Sequence, residues 1–302
     1  MPIYNSAQTW PRRAADCKNT DLLNRVVMAE PSHFDILESI NAHMRDGAGN
    51  LHKIDKAEAA RQWNALVNAY KNAGIDVSIL PAMPGKADFC FAANPSLVLA
   101  LPDGGREMWL SKMANPSRRG EEAAHAKFAK EHAHSKNITI REMPAHVHKF
   151  EGTGDAIIHP GRWLIHAGVG PRSERAAWDA LAAAHPDLDI LVYSLTNEHF
   201  YHLDTALAPL GETAALFVKE AFDAAGLELL NAAFPILYQI PLAEAMRFAG
   251  NAHSPDGKHV FIQKGCGQTE RWLRDNHYVP IAVETSEFIK SGGSVFCLKL
   301  SL

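Results

Sequence analysis

The sequence is poor in cysteine. Cys17, Cys90, Cys266 and Cys297 are all it has, scattered over 302 residues. No two stand at CxxC spacing, which argues against a zinc ribbon, and four scattered thiols do not make a disulfide framework. It has no apolar run long enough to span a bilayer. The opening stretch, Met1 to Arg13, lacks the apolar core of a signal peptide, so a cytoplasmic protein is expected. Positive charge is not in excess. Thirty Lys and Arg against 34 Asp and Glu leave a formal charge of −4, without the basic footprint of a nucleic-acid binder. Gly/Ser-rich or Pro-rich linkers are missing as well, which favours a single domain over residues 1–302.

What is present is a globular composition, 47% apolar and 21% charged, with ample material for a core. The spacing predicts a buried strand over 25–29 and a short helix over 36–44. A longer helix over 57–72 sets Ala60, Trp63, Leu66, Val67 and Tyr70 on one face before Gly74 stops it. A strand over 76–80 follows. Next come a hairpin turning through Pro102-Asp-Gly-Gly-Arg106, a helix over 119–133 and a strand over 138–142. The order then recurs: a hairpin across His159-Pro-Gly-Arg162, a helix over 173–184, a strand over 190–194. A pair over 203–208 and 214–217, an extended 227–230, and a short helix over 242–248 come next. A hairpin at Ser254-Pro-Asp-Gly257, a helix over 269–276 and strands over 279–283 and 295–298 complete the chain. Such repetition of hairpin, helix and strand suggests radial closure of small modules, with a doubly wound sheet close behind on pattern alone.

Short polar strings punctuate this pattern. Asn94 ends the apolar run from Asp88 and precedes Pro95, a strand-end turn by itself. Pro116-Ser-Arg118-Arg119-Gly-Glu-Glu122 reads as a capped helix start. Glu151-Gly-Thr-Gly-Asp155 sets two carboxylates about a glycine turn that can bring both to one pocket. Arg172-Ser173 is a cap with a neighbouring guanidinium, which suits a carboxylate better than lysine would. In Tyr201-His202-Leu-Asp204-Thr205, strand spacing would put His202 and Asp204 on one face, a natural acid–base pair. Finally, Ser291-Gly-Gly-Ser-Val-Phe-Cys297-Leu-Lys-Leu300 reads as a glycine turn feeding a strand, with Val295, Cys297 and Lys299 on one side. Taken alone, a cysteine there is an inert small hydrophobe. His125, His132, His134, His146 and His148 offer no third or fourth ligand at helical spacing, so no metal is expected.

Together and in this order, these strings resemble the guanidino-group-modifying enzymes, the pentein superfamily. The N-terminal Met28-Ala-Glu-Pro31 and the stretch from Phe34 to Met44 resemble the same group. The likeness is to its arginine dihydrolases and dimethylarginine dimethylaminohydrolases. It implies a five-bladed α/β propeller of ββαβ units in one catalytic domain. It also implies a hydrolase of C–N bonds in amidines. Cys297 would be the nucleophile, His202 the acid–base and Glu151 its orienting partner. Asn94 and Asp204 would bind the guanidinium, Asp155 would support the substrate pocket, and Arg118 (Arg119 is the near alternative) and Arg172 would grip the substrate carboxylate. The deiminases of the superfamily hold an aspartate where this chain holds Asn94. An amide can serve both a guanidinium and a ureido oxygen, which points to arginine going on to ornithine, ammonia and carbon dioxide. The alternatives are a single hydrolysis of arginine or a methylated arginine to citrulline, or a non-catalytic pentein that binds a ribosomal subunit. No cofactor, nucleic acid or membrane is implied. A small guanidino substrate is, and a homo-oligomer is compatible.

Overall fold

A computed structural model describes residues 2–131 and 138–302. The strands are β1 (Ile3–Tyr4), β2 (Val26–Ala29), β3 (Val77–Leu80), β4 (Ser96–Ala100), β5 (Arg106–Leu110), β6 (Ile138–Glu142), β7 (Ala156–Ile158) and β8 (Leu164–Val169). They continue with β9 (Asp189–Ser194), β10 (Leu207–Pro209), β11 (Ala214–Phe217), β12 (Ile236–Gln239), β13 (His259–Gln263), β14 (Val279–Val283) and β15 (Leu300–Ser301). The helices are α1 (Lys56–Asn72), α2 (Glu122–Glu131), α3 (Gly152–Asp155), α4 (Arg175–Ala184), α5 (Ala224–Ala233), α6 (Leu242–Ala245), α7 (Gly267–Asp275) and α8 (Ser286–Ile289).

The strands form five separate sheets, and one pairing rule runs through them. A first strand pairs antiparallel with a second, which pairs parallel with a third reached through a helix. Thus β4 runs against β5, which lies parallel to β6 beyond α2. Next, β7, β8 and β9 repeat the rule around α4, with β1 added parallel at the far edge. Around α5 it is β10, β11 and β12. In the sheet of β13, α7 and β14 the first strand shrinks to one antiparallel bridge, His253 to Phe261. In the last unit the C-terminal β15 supplies the first strand to β2, α1 and β3. A parallel pair needs a crossover, and each crossover helix buries an apolar stripe, α1 against β14 of the neighbouring unit as well as its own β3, and α5 against β9 of the preceding unit. In α1 that stripe is Ala59, Trp63, Leu66, Val67 and Tyr70; in α4 it is Ala177, Trp178, Leu181 and Ala182.

Several expectations are corrected here. Residues 36–44 do not form a helix; only Ala42–Met44 make a 3-10 turn. The Asn41 side chain accepts from His43 N, a local bond that competes with helical pairing. Residues 227–230 are not extended but lie inside α5, capped by Asp223. Their short apolar run fits either period. The helix after Arg118 begins at Glu122, and the preceding turn is capped by Asn115 rather than Ser117. Likewise α4 starts beyond Ser173, whose hydroxyl accepts from Glu151 N instead of capping it. His132 and His134 lie outside the described residues.

Candidate active site

The polar residues that matter sit at one recurrent place, just before the first strand of each unit. Asn94 precedes β4, Asp155 β7, Asp204 β10, Asn251 the His253 bridge, and Cys297 β15. Hydrogen bonds stitch these five points into a closed ring. Ala93 N donates to Cys297 O at 3.1 Å and Thr153 N to Ala93 O at 2.9 Å. Leu203 N donates to Asp155 Oδ1 at 3.1 Å. Asn251 Nδ2 donates to Asp204 O at 2.8 Å, and Phe296 N to Asn251 O at 3.0 Å. The five sheets thus share one centre although no sheet closes on itself.

Local folding sets each side chain, and not as strand spacing suggested. Cys297 is not on a strand. Leu298 N bonds back to Ser294 O, closing a helical turn. The Asn251 carboxamide clasps that turn, its Oδ1 accepting from Ser294 N and Cys297 N. His202 and Asp204 are not on a strand either. His202 stands at the N-terminal edge of the 3-10 turn Leu203–Thr205, held by Thr205 Oγ1 on its carbonyl. Glu151 precedes and Asp155 ends the buried single turn α3. Glycine is needed there: a Cβ on Gly154 would come 2.5 Å from Asn94 Nδ2 and 3.3 Å from His202 Cγ.

The resulting contacts form a chain of donors and acceptors. The Cys297 thiol donates to Asp204 Oδ2 at 3.1 Å, and Asn251 Nδ2 reaches Cys297 Sγ at 3.2 Å. His202 Nε2 is 2.9 Å from Glu151 Oε2, which also takes Arg172 Nη1 at 3.0 Å. Burial pushes the Glu151 carboxyl up, but Arg172, the bond to His202 and Arg118 together outweigh it and hold it down at about 2. Burial drives Asp204 up to about 6 despite His202. The Cys297 thiol is pushed well above its ordinary range, first by burial and then by Asp204.

Arg118 turns inward. Its Nε and Nη2 grip the Glu121 carboxylate, Nη2 also reaches the carbonyls of Asp88 and Phe91, and Nη1 donates to Asn94 Oδ1 at 2.7 Å. An arginine only donates, so this bond fixes the Asn94 amide with its oxygen toward Arg118 and its NH2 away. The expected grip of Arg118 on a substrate carboxylate is therefore not what its contacts describe; it orients Asn94. Arg119 is spent on the Met113 carbonyl. Arg172 keeps one hand on Ile40 O at 2.8 Å and lies 4.9 Å over the Tyr201 ring. Three buried atoms at this centre have no hydrogen-bond partner among the described residues, Asn94 Nδ2, Asp155 Oδ2 and Asp204 Oδ1. The first offers a donor and the other two acceptors, Asp155 Oδ2 lying 4.0 Å from His202 Nε2.

A family model described as N,N dimethylarginine dimethylhydrolase, eukaryotic, matches residues 30–301. The chain belongs to this family. The N(G),N(G)-dimethylarginine dimethylaminohydrolase of Mycobacterium tuberculosis is 30% identical to it over 294 residues, covering 96% of this chain and 90% of that protein. The bifunctional arginine dihydrolase/ornithine cyclodeaminase AgrE of Nostoc sp. is 33% identical over 279 residues, 91% of this chain but 37% of the relative. The chain thus spans little more than a third of that relative's length. The solved N-terminal domain of ArgZ, an arginine dihydrolase of cyanobacteria caught with its substrate, superposes with a TM-score of 0.83. It is 29% identical and covers 92% of this chain and 97% of its own. The chain is a pentein-superfamily hydrolase of C–N bonds in amidines.

In this hydrolase, Cys297, Asp204, His202, Glu151, Asp155 and Asn94 gather at the ring. Arg172 joins it through Glu151, and Arg118 stands behind Asn94. Sequence reading missed Asn251. The signal that could have found it is positional: Asn251 stands two residues before its unit's first strand position, as Asn94 stands two before β4. Among the described residues no group of His, Cys, Asp and Glu could hold a metal ion, and no helix is long and apolar enough to cross a membrane.

Proposed function

We propose that the chain is one catalytic domain whose five units act as propeller blades, and that it hydrolyses the guanidino group of arginine through a covalent Cys297 adduct. A guanidinium carbon resists attack because resonance spreads its charge, so the site must hold the group still beside a thiolate. A cationic guanidinium entering between Asp204 and Asn94 meets the unpaired Asp204 Oδ1. Its charge also offsets the carboxylate that keeps the Cys297 thiol protonated, lowering the thiol pKa in the complex. The thiolate attacks the carbon, and His202, oriented by Glu151, protonates the departing ammonia. The same imidazole then activates water against the thiouronium, which releases the thiolate and leaves a ureido group.

The observation that carries the substrate reading is the fixed Asn94 amide. Its NH2 face is a donor to the ureido oxygen, so a second attack by Cys297 is supported rather than repelled. That round expels a second ammonia, and water hydrolyses the thiocarbamate to a carbamate, which falls apart to ornithine and carbon dioxide. Arg172 is the group placed to take the substrate carboxylate, in exchange for the Ile40 carbonyl it now holds. The identity to arginine dihydrolases supports this reading, and the identity to the mycobacterial protein supports a second one, a single hydrolysis of dimethylarginine. Parallel incubation with arginine, citrulline and dimethylarginine, with products read by mass spectrometry, separates them. Two ammonia and one ornithine per arginine are expected; conversion of dimethylarginine alone sinks the dihydrolase reading. Should all three substrates pass unchanged, the non-catalytic alternative returns.

Asn251 is expected to position the nucleophile. Replacing it by alanine leaves Ser294 N, Cys297 N and Asp204 O buried without a partner, about 1–3 kcal/mol for each orphaned group. Asn251→Asp keeps the acceptor but trades the donor on Sγ for a carboxylate, so it should slow thiolate formation with a smaller loss of stability. The check is the pH dependence of Cys297 alkylation. A profile in the Asp variant identical to that of the native protein rules out a contact role for this amide.

A further inference from the structure

A cavity of about 80 Å3, measured by where the centre of a water can sit, is lined by none of Cys297, His202, Glu151, Asn94 or Asp204. Its walls are mostly apolar, with Leu22, Ile157 and Phe296 among them. Into it faces Lys299, only 1% exposed. Its ammonium lies 3.3 Å from the Phe296 ring centroid and donates to Ser301 Oγ at 3.0 Å. No carboxylate pairs with it among the described residues. A buried ammonium with one neutral hydrogen-bond partner is a costly arrangement, because the charge has lost water and gained no counter-ion. Burial draws Lys299 down to about 7 even though Asp204 and Cys297 favour its charge.

The other polar groups around it are already committed. His253 Nδ1 meets the Tyr70 hydroxyl at 2.9 Å, and its Nε2 meets Ser301 Oγ at 3.4 Å. Burial and the Lys299 charge keep that imidazole well below its ordinary range, hence neutral. Asp21, the one acid in the wall, supports the charge of Arg106. The cavity therefore holds one amine whose N–H groups meet only the Ser301 hydroxyl and the face of Phe296, with no anionic acceptor, among aliphatic and aromatic walls. We propose that it is a second binding site, for a small monocarboxylate with a short aliphatic body whose carboxylate pairs with Lys299. The cavity is distinct in its lining from the guanidino site, although Lys299 lies near enough to Asp204 and Cys297 to feel their charge, so its test reads ligand binding and not turnover.

Isobutyrate is the probe, titrated by saturation-transfer NMR beside its neutral amide, isobutyramide. Isobutyrate should bind saturably to the native protein, with the amide at least tenfold weaker. Lys299→Met should weaken isobutyrate at least tenfold and stay folded, since it replaces a buried charge by an apolar chain of similar size. Lys299→Arg should hold affinity within a few-fold, and Arg172→Gln, at the other site, should leave it unchanged. The proposal is overturned if isobutyrate does not bind, if the amide binds equally, or if Arg172→Gln rather than Lys299→Met abolishes binding. Should the Met variant fail to fold, the Arg variant and the amide comparison decide.

Discussion

Cys297→Ser is expected to lower turnover by on the order of 10^4-fold or more while leaving thermal unfolding nearly unchanged. A serine hydroxyl can keep the bond to Asp204 Oδ2 and the contact from Asn251 Nδ2, so the turn at 294–298 survives. What is lost is the nucleophile: a hydroxyl beside a carboxylate has no accessible anion. The thiol is itself poorly ionised in the free protein, since burial and Asp204 both push it up. A raised thiol pKa leaves little thiolate at neutral pH and more as pH rises, so iodoacetamide should react slowly with the free protein at pH 7 and faster only as the pH climbs past the ordinary thiol range. Burial raises Cys90 as well, and takes Cys17 and Cys266 to about 12, so the labelled residue is read by peptide mass spectrometry and not inferred from the pH. A non-hydrolysable guanidinium in the site should speed Cys297 labelling at pH 7. If Cys297→Ser retains near-native turnover, covalent attack by this residue is wrong and Cys266 becomes the thiol to replace.

The sequence carried the modules better than it carried the site's geometry. Periodicity found α1, α2, α4, α7 and most strands, because each buries a regular stripe in the core. It failed where side chains, rather than period, decide the backbone. Asn41 bends residues 41–44 away from a helix, and Asn251 folds the Cys297 segment into a turn. The same cause hid Asn251: a lone asparagine before a serine-proline turn has no local signature, and only the ring of hydrogen bonds between units shows what it holds. Arg118 illustrates the reverse case. The string Ser117-Arg118-Arg119 is legible as a site feature, but its direction is not. Whether its guanidinium faces solvent, ligand or a neighbouring amide depends on Glu121, three residues on and fully buried.

That direction sets the outcome for Asn94→Asp, which, on the proposed conversion of arginine to ornithine, should stall the reaction at citrulline. In the native protein Arg118 Nη1 holds Asn94 Oδ1 and leaves the NH2 group unpartnered at the centre. An aspartate can keep the bond to Arg118 with one oxygen. The other then replaces the donor with an acceptor. The first step tolerates this, because a second carboxylate beside Asp204 favours a cationic guanidinium. The second step does not: the ureido oxygen would face a buried carboxylate oxygen. A mispaired buried polar group costs about 1–3 kcal/mol, more when it is charged, so the second hydrolysis should slow by roughly tenfold to a hundredfold or more. Asn94→Ala separates the two effects, since it removes the donor without adding a charge and should slow the second step less than aspartate does. Product stoichiometry for the three proteins reads the result directly. If the native protein itself stops at citrulline, or if Asn94→Asp still delivers two ammonia per arginine, the amide is not what admits the second attack.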